Sequence, residues 1–127
     1  MATGNGVAVS WGVTGQGVKP YRKADLSNTK TAVKTTPGRL FFINASHTNS
    51  VDVYLHFYDA ALAGVTVGTD PAYTFLIPAS DGSLASGFQL ELPVSPIAFE
   101  TAISIAATTS DLTSPPTSDV LVNLGYK

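Results

Sequence analysis

Hydrophobic and polar residues alternate along much of this chain. In VDVYLHFY, Val51, Val53, Leu55 and Phe57 take one face and Asp52, Tyr54, His56 and Tyr58 the other. A period of two marks a strand with one face in a core. GFQLELP repeats it, with Phe88, Leu90 and Leu92 inward and Gln89 and Glu91 outward. Near the end, Val120, Val122 and Leu124 alternate with Leu121 and Asn123. Further strands are predicted over Val7 to Val13, Leu40 to Asn44, Ala72 to Ile77, Ile97 to Phe99 and Ala102 to Ala107. Turn-rich pieces separate them: HTNS, VGTDP, PASDG, PVSP and TTSDLTSPPTSD. No segment carries a helical period; AVKTTPG is short and β-branched, and DAALAG offers one turn at most. Such a series of short strands predicts an all-β fold, a two-sheet antiparallel β-sandwich of jelly-roll or immunoglobulin-like topology.

The first part of the chain reads differently. Residues 14–38 are rich in Gly, Thr and Lys with few apolar anchors after Val18, which predicts an extended arm. The expected division is an N-terminal strand and basic arm over 1–38 and a sandwich over 39–127. Charge sharpens that division. Lys19, Arg22, Lys23, Lys30, Lys34 and Arg39 fall in one segment with a single acid, Asp25, whereas residues 40–126 hold eight acids and no Lys or Arg. The chain of 127 residues is 13% charged and 44% apolar, with a net charge of −2. Charge is scarce against the roughly 25% of ordinary soluble domains. A surface this poor in charge suggests cover by other protein chains.

Composition narrows the chemistry. Cysteine is absent, which excludes disulfides, thiolate metal sites and cysteine nucleophiles. The two histidines, His47 and His56, offer at best Asp52, His56 and Asp59 as ligands, short of a converging metal set. There is no Gly-x-Ser-x-Gly elbow, and TGQGVK has neither the spacing nor the helix of a phosphate loop. The acids sit singly, mostly at turns, where Asp is a turn former. No catalytic residue, metal or cofactor is therefore expected, and the chain is not expected to be an enzyme. MATGNGVAVSWG lacks the basic start and apolar run of a signal peptide. No run approaches the ~18 apolar residues of a membrane span. Cytoplasmic synthesis and no membrane partner are expected, so the sequon Asn44-Ala45-Ser46 carries no glycosylation meaning.

Two binding readings compete with a protein partner. KPYRK could grip phosphates, yet a sequence pI near 5.4 speaks against a nucleic-acid binder, and none is expected. The outward face of Asp52, Tyr54, His56 and Tyr58 could form a contact strand for sugar. The preferred alternative for these amphipathic rings is packing under a loop or against a neighbouring subunit. That leaves Lys19, Tyr21, Arg22, Lys23, Lys30, Lys34 and Arg39 as a partner-binding arm. Its match would be the acidic surface of an identical copy or of another protein, with charge setting orientation and association rate. A closed ring such as a homotrimer fits that arrangement.

The pieces VDVYLHFYDAA, VTVGTDPAYTFLIPAS, TAISIAATTSDLT and SDVLVNLGYK, in that order over residues 51–127, resemble small tailed-phage virion proteins. The chain departs from that pattern at Asp70-Pro71, where Pro follows GTD directly, and at Thr101, which replaces a usual Gly. The resemblance implies a capsid decoration (cement) protein that binds the outside of the phage capsid and bridges neighbouring capsomers. Its partners would be the major capsid protein and itself, and its location the virion after synthesis in the host cytoplasm. The alternative it implies is a tail-fibre or tail-associated receptor- or sugar-binding module. It transfers no catalytic residue.

Overall fold

Where the chain alternates, it forms strands. The computed structural model describes residues 17–81 and 83–127; the strand expected over Val7 to Val13 lies outside them. Nine strands follow in order: β1 (Lys19–Leu26), β2 (Thr31–Lys34), β3 (Gly38–His47), β4 (Val53–Tyr58), β5 (Tyr73–Ile77), β6 (Ser86–Glu91), β7 (Ile97–Phe99), β8 (Ile103–Thr108) and β9 (Val120–Tyr126). A single 3-10 turn, Leu62–Gly64, is the one helical element among the described residues.

All pairings are antiparallel. Sheet one runs β1-β9-β3-β6, with β7 beside β6 on the same edge of β3; sheet two runs β2-β8-β4-β5. The pairs nest: β1 with β9, β2 with β8, β3 with β6 and β7, β4 with β5. That is one long hairpin rolled over onto itself, so that β9 also meets β3 and β8 also meets β4. The fold is a jelly roll. Of the two topologies the alternation left open, the nested order selects this one.

Residues 19–34 do not form an arm. β1 and β2 are edge strands of the two sheets, and Leu26 is fully buried in the core they share. Among the described residues the sandwich therefore starts at Lys19, not at Arg39. A bulge hides this from the sequence. On β9, Val120 and Val122 are two residues apart, whereas their partners on β1, Leu26 and Lys23, are three apart. The extra residue shifts the inward positions out of period two. β3 is bulged in the same way, since Tyr126 pairs Leu40 while Gly125 pairs Phe42; Leu40 and Ile43 both point inward, three residues apart.

The core between the sheets holds Leu40, Ile43, Val122 and Leu124 from sheet one against Val53, Leu55, Phe57, Ile103 and Ile105 from sheet two. Phe75 closes one flank. Its ring stands edge-on to Phe57 at 5.8 Å and tilts against Phe88 of sheet one at 5.1 Å, within the range at which aromatic pairs add to burial. Val51, expected inward, lies before β4 begins and is 49% exposed.

Candidate functional site

Each residue expected to carry function has a definite place. The outward side of β4 is not open. His56 is 1% and Tyr58 2% exposed, Tyr54 is half-buried, and only Asp52 faces solvent. The segment between β4 and β5 folds back over this face of sheet two. Val65 packs on Tyr58 and Ala106, with Ala60 and Val67 beside them. Small side chains on β8 let the segment approach, and Ser104 Oγ donates to Ala60 O at 2.7 Å. The Tyr58 hydroxyl accepts from Gly68 N at 3.2 Å. Packing under a loop is thus the outcome for His56 and Tyr58, and the contact-strand reading loses them.

His56 is held between two threonines. Nδ1 lies 2.9 Å from Thr74 Oγ1 and Nε2 lies 2.8 Å from Thr108 Oγ1. Thr108 donates its own proton to Thr109 O at 3.0 Å, so its oxygen is left to accept. Nε2 therefore carries the hydrogen, and Nδ1 accepts from Thr74. Burial pushes the imidazole below its ordinary value, which keeps it neutral. This is structural chemistry, with both ring nitrogens satisfied.

The basic residues are scattered. Lys19 is exposed where β1 meets Tyr126. Tyr21 turns inward onto the core, and burial raises its phenol above the usual value. Lys23 pairs with Asp25 at 3.0 Å. Lys30 donates to Leu62 O and Val65 O at 2.8 and 2.9 Å, tying the covering segment down. Lys34 lies against Gly38, whose strand exchanges backbone bonds with the last residue: Arg39 N donates to Lys127 O at 2.8 Å and Lys127 N to Arg39 O at 2.9 Å. Lys34, Arg39 and Lys127 thus meet at one end, while Arg22 stands apart on sheet one.

The carboxylates are mostly occupied. Partial burial of Asp59 works to raise its pKa, but the amides of Glu100, Thr101 and Ala102, at 3.0, 2.7 and 3.3 Å, outweigh it and hold the group below the usual value. Asp81 accepts from Leu84 N and Ser83 N at 2.8 Å each, and Asp111 from the Ser114 hydroxyl and from Ser114 N and Thr113 N; both are held low by those bonds. At the same end, Asn49, 1% exposed, joins three loops: it accepts from Thr117 and Ser118, donates to Ser118 O, and its amide donates to His47 Nδ1. Among the described residues, no three His, Asp or Glu side chains converge on a metal position.

Among the described residues, what remains open is the outer face of sheet one. The register places Arg22, Asn123, Asn44 and Gln89 in one row across β1, β9, β3 and β6. The next row is Pro20, Gly125, Phe42 and Glu91, and beyond Asn123 lie Leu121, Ser46 and Gly87. The Phe42 ring rests on Gly125, where a Cβ would come within 2.2 Å of it. Beside it runs a shallow groove of about 570 Å³, lined by Val18, Phe41, Phe42, Asn44, Gln89, Glu91 and Pro93. Alternation marks Gln89, Glu91 and Asn123 as outward, but their alignment in rows emerges only from the strand order.

No family model matches the sequence, and no curated protein matches it. Among solved structures, the chain is similar to the cryo-EM structure of a virus-like particle of the extra small virus of the giant freshwater prawn Macrobrachium rosenbergii. The two are 9% identical, with 96% of this chain and 81% of that chain covered, at a TM-score of 0.36. A likeness that slight assigns nothing to this chain.

Proposed function

We propose that this protein is a structural virion component, a capsid decoration protein that binds the outside of a phage capsid and bridges neighbouring capsomers. The observation that carries the reading is the division of labour between its faces. Around His56 and Tyr58 sheet two is covered by its own loop, the histidines are satisfied internally, and Asp59, Asp81 and Asp111 cap turns. The outer face of sheet one stays open, low in relief and nearly uncharged. A rigid jelly roll with one such face suits docking between protein surfaces rather than turnover of a substrate. Jelly rolls also occur in viral capsids and lectins, which is an analogy of fold and no more. The sequence resemblance over residues 51–127 points the same way. Bound copies would stabilise a capsid by mass action, since they bind the assembled lattice and not its dispersed subunits.

The tail-fibre sugar-binding alternative relied on Asp52, Tyr54, His56 and Tyr58, and the burial of His56 and Tyr58 takes away half of that face. Two measurements test the capsid reading. Quantitative mass spectrometry of purified virions should find on the order of hundreds of copies, and added protein should saturate stripped capsids and raise their disruption temperature. A few copies per particle, or no binding to stripped capsids, would overturn it.

A further inference from the structure

We propose that the outer face of sheet one is a self-complementary docking surface for a second copy of this chain, related by a two-fold axis parallel to the strands between β9 and β3. This goes beyond the capsid reading and rests on its own observations, and it takes the same open face, so a second copy and a capsid surface are alternative occupants of it.

The register supplies the geometry. The four strands of the face run β1, β9, β3, β6. An axis midway between the central pair lays β1 of one copy over β6 of the other, and β9 over β3. Arg22 is the cation on β1 and Glu91 the anion on β6, at opposite edges of the face. With strands about 4.8 Å apart and a two-residue offset along them, they are roughly 16 Å apart within one copy, too far to pair. Across the axis, Arg22 of each copy stands over the β6 of the other, offset from Glu91 by about two residues along the strand, roughly 7 Å. A guanidinium on its long stem spans that offset. The charges are thus matched twice, as an isologous contact requires.

The centre of the face follows the same rule. Asn123 of one copy opposes Asn44 of the other, and the reverse; each amide offers both donors and an acceptor. Among the described residues, the side chains of Arg22, Asn44 and Asn123 make no hydrogen bond or ion pair, and Gln89 bonds only Glu91 on its own strand, at 2.7 Å. In the next row, Phe42 of each copy opposes Gly125 of the other. Phe42 and Val18 both lie against Gly125 on its own copy, so in this row the two copies meet side chain on side chain. Four strands across and five residues along give a patch of roughly 19 by 17 Å. Two such patches cover about 650 Å² in total, below the size of stable specific interfaces, so weak dimerisation that shows toward high concentration is expected.

Sedimentation velocity on the full chain from about 5 to 500 µM should show a concentration-dependent monomer–dimer equilibrium. Arg22→Glu and Glu91→Arg should each weaken it at least tenfold. Mixed in equal amounts, the two variants should regain the dimer, because each variant supplies the charge the other lacks; the double variant R22E/E91R should regain it alone. Both positions are exposed, so circular dichroism and melting should stay as in the wild type. A wild-type chain that stays monomeric throughout, an assembly larger than a dimer, or single variants that associate like the wild type would each overturn the proposal. A monomer that still saturates capsids would sink this interface and leave the capsid reading standing.

Discussion

Replacing Leu26 by Ala decides whether the first strand belongs to the sandwich. An arm over residues 1–38 would place Leu26 in solvent, where substitutions stay within about 0.5 kcal/mol. In the jelly roll it is the last residue of β1, fully buried, paired with Val120 and part of the main core. Removing a buried leucine down to its Cβ costs about 2–5 kcal/mol, depending on how far the site collapses. β1 is an edge strand and can relax inward, so about 3 kcal/mol is expected. At this chain length, 1 kcal/mol moves the melting temperature by roughly 3–5 °C, interpolating between smaller and larger domains. The loss should therefore lower melting by about 9–15 °C, and the urea midpoint by about 1.5 M for a slope near 2 kcal/mol/M. Chemical and thermal denaturation followed by tyrosine fluorescence and far-UV circular dichroism measures both quantities. A midpoint shift below about 0.3 M would refute the placement of β1. The companion deletion of residues 1–34 removes an edge strand from each sheet and bares β9 and β8. It should yield insoluble or unfolded protein rather than a free-standing sandwich.

Three further outcomes are expected. Gly125→Ala drives a methyl into the Phe42 ring and should cost about 1–3 kcal/mol of overpacking; adding Phe42→Ala should recover part of that loss in a double-mutant cycle. His56 sits below its ordinary 6.5, so on acidification the unfolded chain takes up a proton that the folded chain refuses. Its contribution is intact above pH 6.5 and declines toward pH 5; urea midpoints across pH 5 to 7.5 should slope accordingly, and His56→Gln should flatten that slope. Asp59→Asn weakens three amide contacts and should cost about 1–2 kcal/mol at neutral pH. The wild type keeps that contribution above the ordinary 3.8 and loses it as pH falls through the lower folded value, so the gap in stability between the two proteins should narrow as pH falls below 3.8.

The sequence made the inner face of β4 readable and its outer face misleading. Val53, Leu55 and Phe57 alternate cleanly because the core demands it. His56 and Tyr58 look like surface residues only if nothing covers them. The cover comes from residues 59–72, where Leu62, Val65 and Val67 form no regular period and signal nothing locally. β1 failed for a different reason. KPYRKADL carries the charges that guard an edge strand, and its bulge sets Tyr21 and Leu26 five residues apart, which breaks the alternation on which recognition rests. The outward amides were visible one at a time, but no local pattern could align Arg22 with Gln89 three strands away.

The charge segregation takes its meaning from this topology. A rolled hairpin brings its first two strands to one flank of the sandwich, because β1 and β2 are the edges of sheets one and two and share a short turn. The opposite flank is made by β5, β6 and β7, which hold no Lys or Arg. Lys19, Arg22, Lys23, Lys30 and Lys34 thus come to this flank or its turn, whereas Arg39 lies on β3 opposite Ala98 of β7, so only part of the basic run gathers on one flank. The basic flank uses part of its charge at home, through Lys23 to Asp25 and Lys30 to two carbonyls. Arg22 is left on the open face, and Glu91 marks the far edge of the same face. Stacking two such faces head to head in the same sense would set basic over basic. Turning one copy about an axis along the strands sets basic over acidic at both edges. The early cluster of positive charge therefore selects one orientation of a copy on its neighbour, and it does so from within the sandwich rather than from an arm.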